Sequence, residues 1–174
     1  MRPQQHQYVP RQHGFNMIEV MVTLAVLSIG LLGMAALQTM GIRFNHQSYE
    51  RTQAVVQAYD LLDRIRTNWK CVKATPACDY DSVAIGSIPA VTQQCISATG
   101  SAVCTPAQMA TYDVAQWNIA NSRAINLGRG AACRGTLDAS FVCTAGAATS
   151  RTYSVAITWI ENDLNMRIDV QAEL

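Results

Sequence analysis

The chain has 174 residues, with 13 Lys and Arg against 12 Asp and Glu and a formal net charge of +1. That balance excludes the clustered basic surface a nucleic-acid partner requires, and the length excludes two independent domains while allowing one core plus an extension. Charged residues make up 14% of the chain and apolar residues 49%; an ordinary soluble domain is about a quarter charged, so part of this chain is predicted to lie in lipid.

Met1 to Gly14 is polar, carries Arg2, Arg11, His6 and His13, and reads as a leader over residues 1–14. From Phe15 the sequence runs FNMIEVMVTLAVLSIGLLGMAALQTM, and between Met17 and Leu37 the sole ionisable residue is Glu19. Such a stretch is long enough to cross a hydrocarbon core of about 30 Å as a helix. Basic residues precede it and all the cysteines follow it. The charge bias therefore puts Met1 in the cytoplasm and the remainder in the periplasm.

A carboxylate in a membrane span is unfavourable by about 2.5–3.5 kcal/mol on insertion scales, so Glu19 needs a partner. No Lys or Arg stands near it on the helix. Cleavage after Gly14 would create an α-amino group on Phe15 one helical turn away, and the amine of an adjacent subunit would serve equally well. A secretory signal peptide cut near Gly33-Met34-Ala35, or a simple signal anchor, is the alternative, and neither explains Glu19.

The helical pattern continues without proline to about Asn68, with Ala54, Ala58, Leu61 and Ile65 on one face and Val55 and Leu62 flanking it. A helix over 15–68 would be about 80 Å long, with residues 15–37 forming a transmembrane half and 38–68 a periplasmic half. Asp60 with Arg64 and Asp63 with Arg66 stand at helix-neighbour spacing and are expected on the solvent face. Gly30, Gly33 and Gly41 either let the membrane half bend or melt, or permit close helix packing.

Residues 69–174 form the expected globular head, beginning with loops around Thr75 to Asp81 and Thr99 to Pro106. Thr105-Pro106 caps a second helix over about 107–125, placing Ala110, Val114, Trp117 and Ala124 inward. Asp113 beside Trp117 is explained by an amphipathic helix rather than a pocket. Gly128 to Gly135 reads as a loop. Tyr153, Val155, Ile157 and Trp159 alternate with polar or small residues, as do Met166, Ile168 and Val170, predicting two strands joined through Glu161 to Asn165. The fold class is α+β: a long N-terminal helix packed on a small antiparallel sheet. Trp69, Trp117 and Trp159 are expected in the core.

Cys71, Cys78, Cys95, Cys104, Cys133 and Cys143 make an even set, which fits disulfides in an oxidising compartment. Short local loops favour joining Cys71 to Cys78, Cys95 to Cys104 and Cys133 to Cys143, although other connectivities remain open. No C-x-x-C pair is present, so the spacing argues against zinc or another metal. The third histidine, His46, falls early in the periplasmic helix, and no paired-carboxylate, phosphate-loop or dinucleotide motif occurs. No catalytic residue and no cofactor is expected.

The string G-F-N-M-I-E-V followed by an uninterrupted apolar helix resembles the class III signal of type IV prepilins. The resemblance implies that a membrane aspartyl peptidase, the prepilin peptidase, cuts after Gly14 and N-methylates Phe15. It also implies that Glu19 neutralises a neighbouring subunit's amine during assembly. The segments IEVMVTLAVLSIGLLGMAALQ, AVVQAYDLLDRIRTN, YDVAQW and SVAITWIE are similar to the PilV group of minor pilins. That group implies a low-abundance subunit, held first in the inner membrane and then in the surface pilus that drives twitching motility. It would prime assembly with other minor pilins and the major pilin, at the tip beneath a PilY-type adhesin. Major pilins often carry a proline in the first half of the helix, which this chain lacks. A minor pseudopilin of a type II secretion system would share the signal, and a filament-tip adhesive module is the reading from another class.

Overall fold

A computed structural model describes residues 14, 16–73, 78–91, 94–95, 104–146 and 150–174. The chain divides into two compact units, one up to Phe44 and one over Asn45–Leu174. Helix α1, Met17–Thr67, is 51 residues long and contributes to both. In the first unit its apolar side chains are exposed, among them Met17, Met21, Leu27 and Leu37.

In the second unit α1 buries Ala54, Ala58, Leu61, Leu62 and Ile65, the stripe that a 3.6-residue period dictates. Val55, at the margin of that stripe, is exposed. Helix α2, Trp69–Lys73, follows, then a single 3-10 turn at Asp79–Asp81. Trp69 is not a core residue: it is 51% exposed, with Lys73 Nζ 3.7 Å from its ring centroid. In so short a helix Cys71 takes the buried face, where it is joined to Cys78.

Helix α3, Pro106–Ala124, starts with a reciprocal cap. Gln108 N donates to Thr105 Oγ1 at 3.3 Å, and Thr105 N donates to Gln108 Oε1 at 2.9 Å. Two otherwise orphaned amides are thereby satisfied, and Pro106, which has no N–H, costs nothing in the first turn. Trp117 is fully buried and its Nε1 donates to Gln57 O of α1 at 2.7 Å.

The sheet is antiparallel throughout. Its strands are β1 (Ser82–Val83), β2 (Arg129–Leu137), β3 (Cys143–Ala145), β4 (Thr152–Glu161) and β5 (Leu164–Glu173). The order is β1-β2-β4-β5, with β3 paired to the far end of β2. The two C-terminal strands match the alternation in the sequence, but their turn is tighter than Glu161 to Asn165. Glu161 pairs with Leu164, and only Asn162 and Asp163 turn, at φ of 50° and 61°. Both residue types tolerate the left-handed conformation that a two-residue hairpin requires.

The expected loop at Gly128 to Gly135 is instead most of β2. Its sequence hides the strand because Ala131, Ala132 and Cys133 are small and all buried, so no apolar-polar alternation develops. Gly130 is required there by contact: a Cβ would meet the Trp117 ring at 2.1 Å. The core is completed by Tyr80, Tyr153, Val155, Ile157 and Trp159.

Disulfides join Cys71 to Cys78, Cys95 to Cys104 and Cys133 to Cys143, over sequence separations of 7, 9 and 10. The two loops expected around the first pairs fall partly on residues 74–77 and 99–103, outside the described residues.

Candidate assembly site

Gly14 is exposed, and α1 begins two residues after the next position, where Glu19 N donates to Asn16 O at 3.0 Å. Phe15, with residues 1–13 of the expected leader and their histidines, lies outside the described residues. Glu19 sits in the first turn of α1, where the unpaired amides of a helix favour an acidic side chain. An 18-residue window of this helix reaches a mean hydropathy of 2.4, and none of that window is buried. Gly30, Gly33 and Gly41 have open space where a Cβ would project.

Between Met17 and Leu37 the polar side chains are Glu19, Thr23 and Ser28. Thr23 Oγ1 donates to Val20 O at 2.9 Å and Ser28 Oγ to Leu24 O at 2.7 Å. Just beyond, Thr39 Oγ1 donates to Ala35 O at 2.9 Å. Each hydroxyl is satisfied by its own helix, as apolar surroundings demand. Among the described residues Glu19 has no such partner. The first unit is thus an apolar rod with one unanswered carboxylate near its start, five positions after Gly14.

Two comparisons bear on this arrangement. Residues 9–35 match the family described as the prokaryotic N-terminal methylation motif, and residues 36–115 match the Tt1218-like family, described as type IV pilin Tt1218. Over residues 9–115 the chain is therefore similar to type IV pilins. No curated protein and no solved structure matches it. Helix α1 is long and apolar enough to cross a membrane.

In the second unit, the helix is tied to the fold by buried polar contacts that the sequence did not display. Arg64 was expected on the solvent face beside Asp60. It does bond Asp60, at 2.8 Å, but its other arm reaches Asp113 of α3 at 3.1 Å. Asp113 is buried and also accepts from the Tyr80 hydroxyl. Burial pulls the Arg64 pKa down, yet its bonds and charge pairing with Asp60 and Asp113 outweigh that and leave it raised. Burial, then the bond to Asp113, pushes the Tyr80 phenol up.

A second knot lies beside the first. Tyr153 OH donates to Asp81 Oδ1 at 2.6 Å, Arg134 Nε stands 2.8 Å from the same oxygen, and Arg134 also bonds Val72 O. Burial and then Asp81 raise the Tyr153 pKa as well. Tyr80 and Asp81 are neighbours in the 3-10 turn, so this one turn links α1, α3, β2 and β4. These groups are committed to one another and fix geometry; they offer no free acid, base or nucleophile. Asp63 and Arg66, by contrast, remain an exposed pair at 2.6 Å.

An open groove of about 380 Å3 lies over the sheet, lined by Leu137, Asp138, Ser154, Arg167, Asp169 and Gln171. Its cation is engaged: Arg167 holds Asp169 through Nε and Nη2 and donates to Asp138 O at 2.7 Å. Nothing in the sequence announced the polar knots, since 49 residues separate Arg64 from Asp113 and 72 separate Asp81 from Tyr153. The self-satisfied Thr23 and Ser28 were readable, because a hydroxyl in an apolar helix has only its own backbone to bond.

Proposed function

We propose that this chain is a type IV pilin, a minor pilin of the PilV group that primes or takes part in assembly of a type IV pilus. Residues 1–14 are its leader, 15–37 the transmembrane half of the helix, 38–68 the periplasmic half and 69–174 the head. Prepilin peptidase cuts after Gly14 and N-methylates Phe15, and the protein waits in the inner membrane with its head in the periplasm. Assembly then carries it, with other minor pilins and the major pilin, toward a tip that bears a PilY-type adhesin.

The observation that supports this reading best is Glu19, the one polar side chain between Met17 and Leu37 that its own helix leaves unsatisfied. A cationic N-terminus one turn away, or on the next subunit, neutralises it and removes the cost of burying a lone charge. The three disulfides suit an oxidising compartment.

The test is deletion and complementation in the native host. Loss of surface pili and twitching with type II secretion intact is the expected result. Loss of secretion with pili intact would transfer the chain to the minor pseudopilins. Adhesion by the purified full chain without any filament, in a strain that still twitches, would favour the tip-binding module.

A further inference from the structure

The parity of the last hairpin determines which backbone groups of β5 face outward. Leu174 N donates to Arg151 O at 2.8 Å, and the β4·β5 register pairs Thr152 with Glu173 and Glu161 with Leu164. In an antiparallel ladder, pairs that exchange both bonds alternate with pairs that exchange none. Even-numbered residues from Leu164 to Leu174 therefore direct N–H and C=O toward β4. Asn165, Arg167, Asp169, Gln171 and Glu173 direct theirs away from it, along an edge of about 27 Å. Among the described residues no strand pairs with β5 on that side.

Exposed sheet edges are normally kept short, bulged, or protected by proline or by unpaired charges, lysine above all. β5 has ten residues in unbroken register with β4 and contains no proline and no lysine. Its core-side row, Met166, Ile168, Val170, Ala172 and Leu174, packs on the core yet stays half-buried. One more strand would cover the uncovered flank of that row. On the other row Arg167 and Asp169 neutralise each other. Asp163 at the turn and Glu173 at the far end are exposed and, among the described residues, have no ion-pair partner.

We propose that the free edge of β5 receives an extended strand from another pilin subunit of the same filament. The incoming strand alternates apolar side chains over the core-side row with polar ones, and carries Lys or Arg near each end, opposite Asp163 and Glu173. Backbone bonds supply the attraction, and the apolar row and end charges set register. This rests on the reading of the chain as a filament subunit.

Residue-resolved amide exchange on the full chain, first in detergent and then in sheared filaments, tests the proposal. In the free chain the amides of Met166, Ile168, Val170 and Ala172 should be protected, and those of Arg167, Asp169, Gln171 and Glu173 fast. In filaments the second set should slow at least a hundredfold. If the chain is present in filaments and those amides stay fast, the proposal is overturned while the filament reading stands. If the chain is absent from filaments, both fall. Zero-length carbodiimide coupling from Glu173 should join it to a Lys of a different pilin. Coupling to a second copy of this chain, or to a non-pilin, would overturn the assigned occupant. Gln171→Pro removes an outward N–H and narrows φ at a position where edge strands tolerate proline, and its filament content should drop at least tenfold against Gln171→Ala, which keeps that N–H. Equal incorporation of the two variants, with the β4-facing amides still protected in both, would also overturn it.

Discussion

The two parts of α1 belong to one continuous helix, yet they use hydrophobicity in opposite ways. Before Phe44 the apolar side chains cover every face and none is buried; after Asn45 they form one stripe, closed by Ala54, Ala58, Leu61, Leu62 and Ile65. The difference lies in content and in period: Glu19 is the one charged residue between Met17 and Leu37, whereas Glu50, Arg51, Asp60, Asp63, Arg64 and Arg66 stand between Asn45 and Thr67 and leave apolar residues on one face. A stripe selects a protein partner, and an all-round surface selects lipid or many neighbouring helices. The polar residues follow the same division. In the first part hydroxyls bond back to their own helix, whereas in the second Arg64 reaches across to Asp113.

Substitutions should therefore separate cleanly between the two parts. The largest effect is expected at the boundary of the leader: Gly14→Trp should abolish processing, leaving a single slow-migrating precursor on an immunoblot of membranes. Any mature band would show that the cut lies elsewhere. Glu19→Ala should still be processed, but its share in sheared filaments should fall at least tenfold, because a partner amine is left without its counter-charge in apolar surroundings. Normal incorporation would break the charge-pairing account.

In the head the order reverses, with stability affected and processing spared. Trp117→Ala should lower unfolding free energy by about 3–5 kcal/mol, through the cavity it leaves under Gly130 and the lost bond to Gln57. Denaturant titration checks this, and precursor cleavage should be unchanged. Tyr80→Phe should cost about 1–3 kcal/mol by stranding an oxygen of buried Asp113.

Alkaline pH should act on the same knots. The phenols of Tyr80 and Tyr153 are held above their ordinary value of 10.0, because burial and a neighbouring carboxylate favour the neutral form. Their contribution to stability is complete below that value. It is lost as pH rises above it, because the unfolded chain releases these protons first. Tyr80→Phe should shallow that alkaline loss, and an unchanged profile would remove Tyr80 from the explanation. At the small end, Asp63→Ala breaks only an exposed pair with Arg66 and should shift stability by less than about 0.5 kcal/mol.

What the sequence displayed was whatever has a local cause. The start of α3 is written in Thr105, Pro106 and Gln108, and β4 and β5 in strict alternation. The apolar stretch and its lone glutamate are likewise local. β2 was hidden because Gly130, Ala131, Ala132 and Cys133 are small residues fitted around Trp117 and the neighbouring strands, a constraint imposed from elsewhere in the chain. The same holds for the polar knots, whose partners meet only after the fold has formed. Trp69 shows the converse error: a large aromatic is not buried when a five-residue helix must turn Cys71 inward for its disulfide.

The central claim is that maturation at Gly14 supplies the amine that Glu19 requires. Intact mass and N-terminal fragmentation of the protein from sheared filaments test it most directly. The account predicts a mature chain that begins at N-methylated Phe15. A chain that still begins at Met1, or one that begins near Ala36, would contradict it.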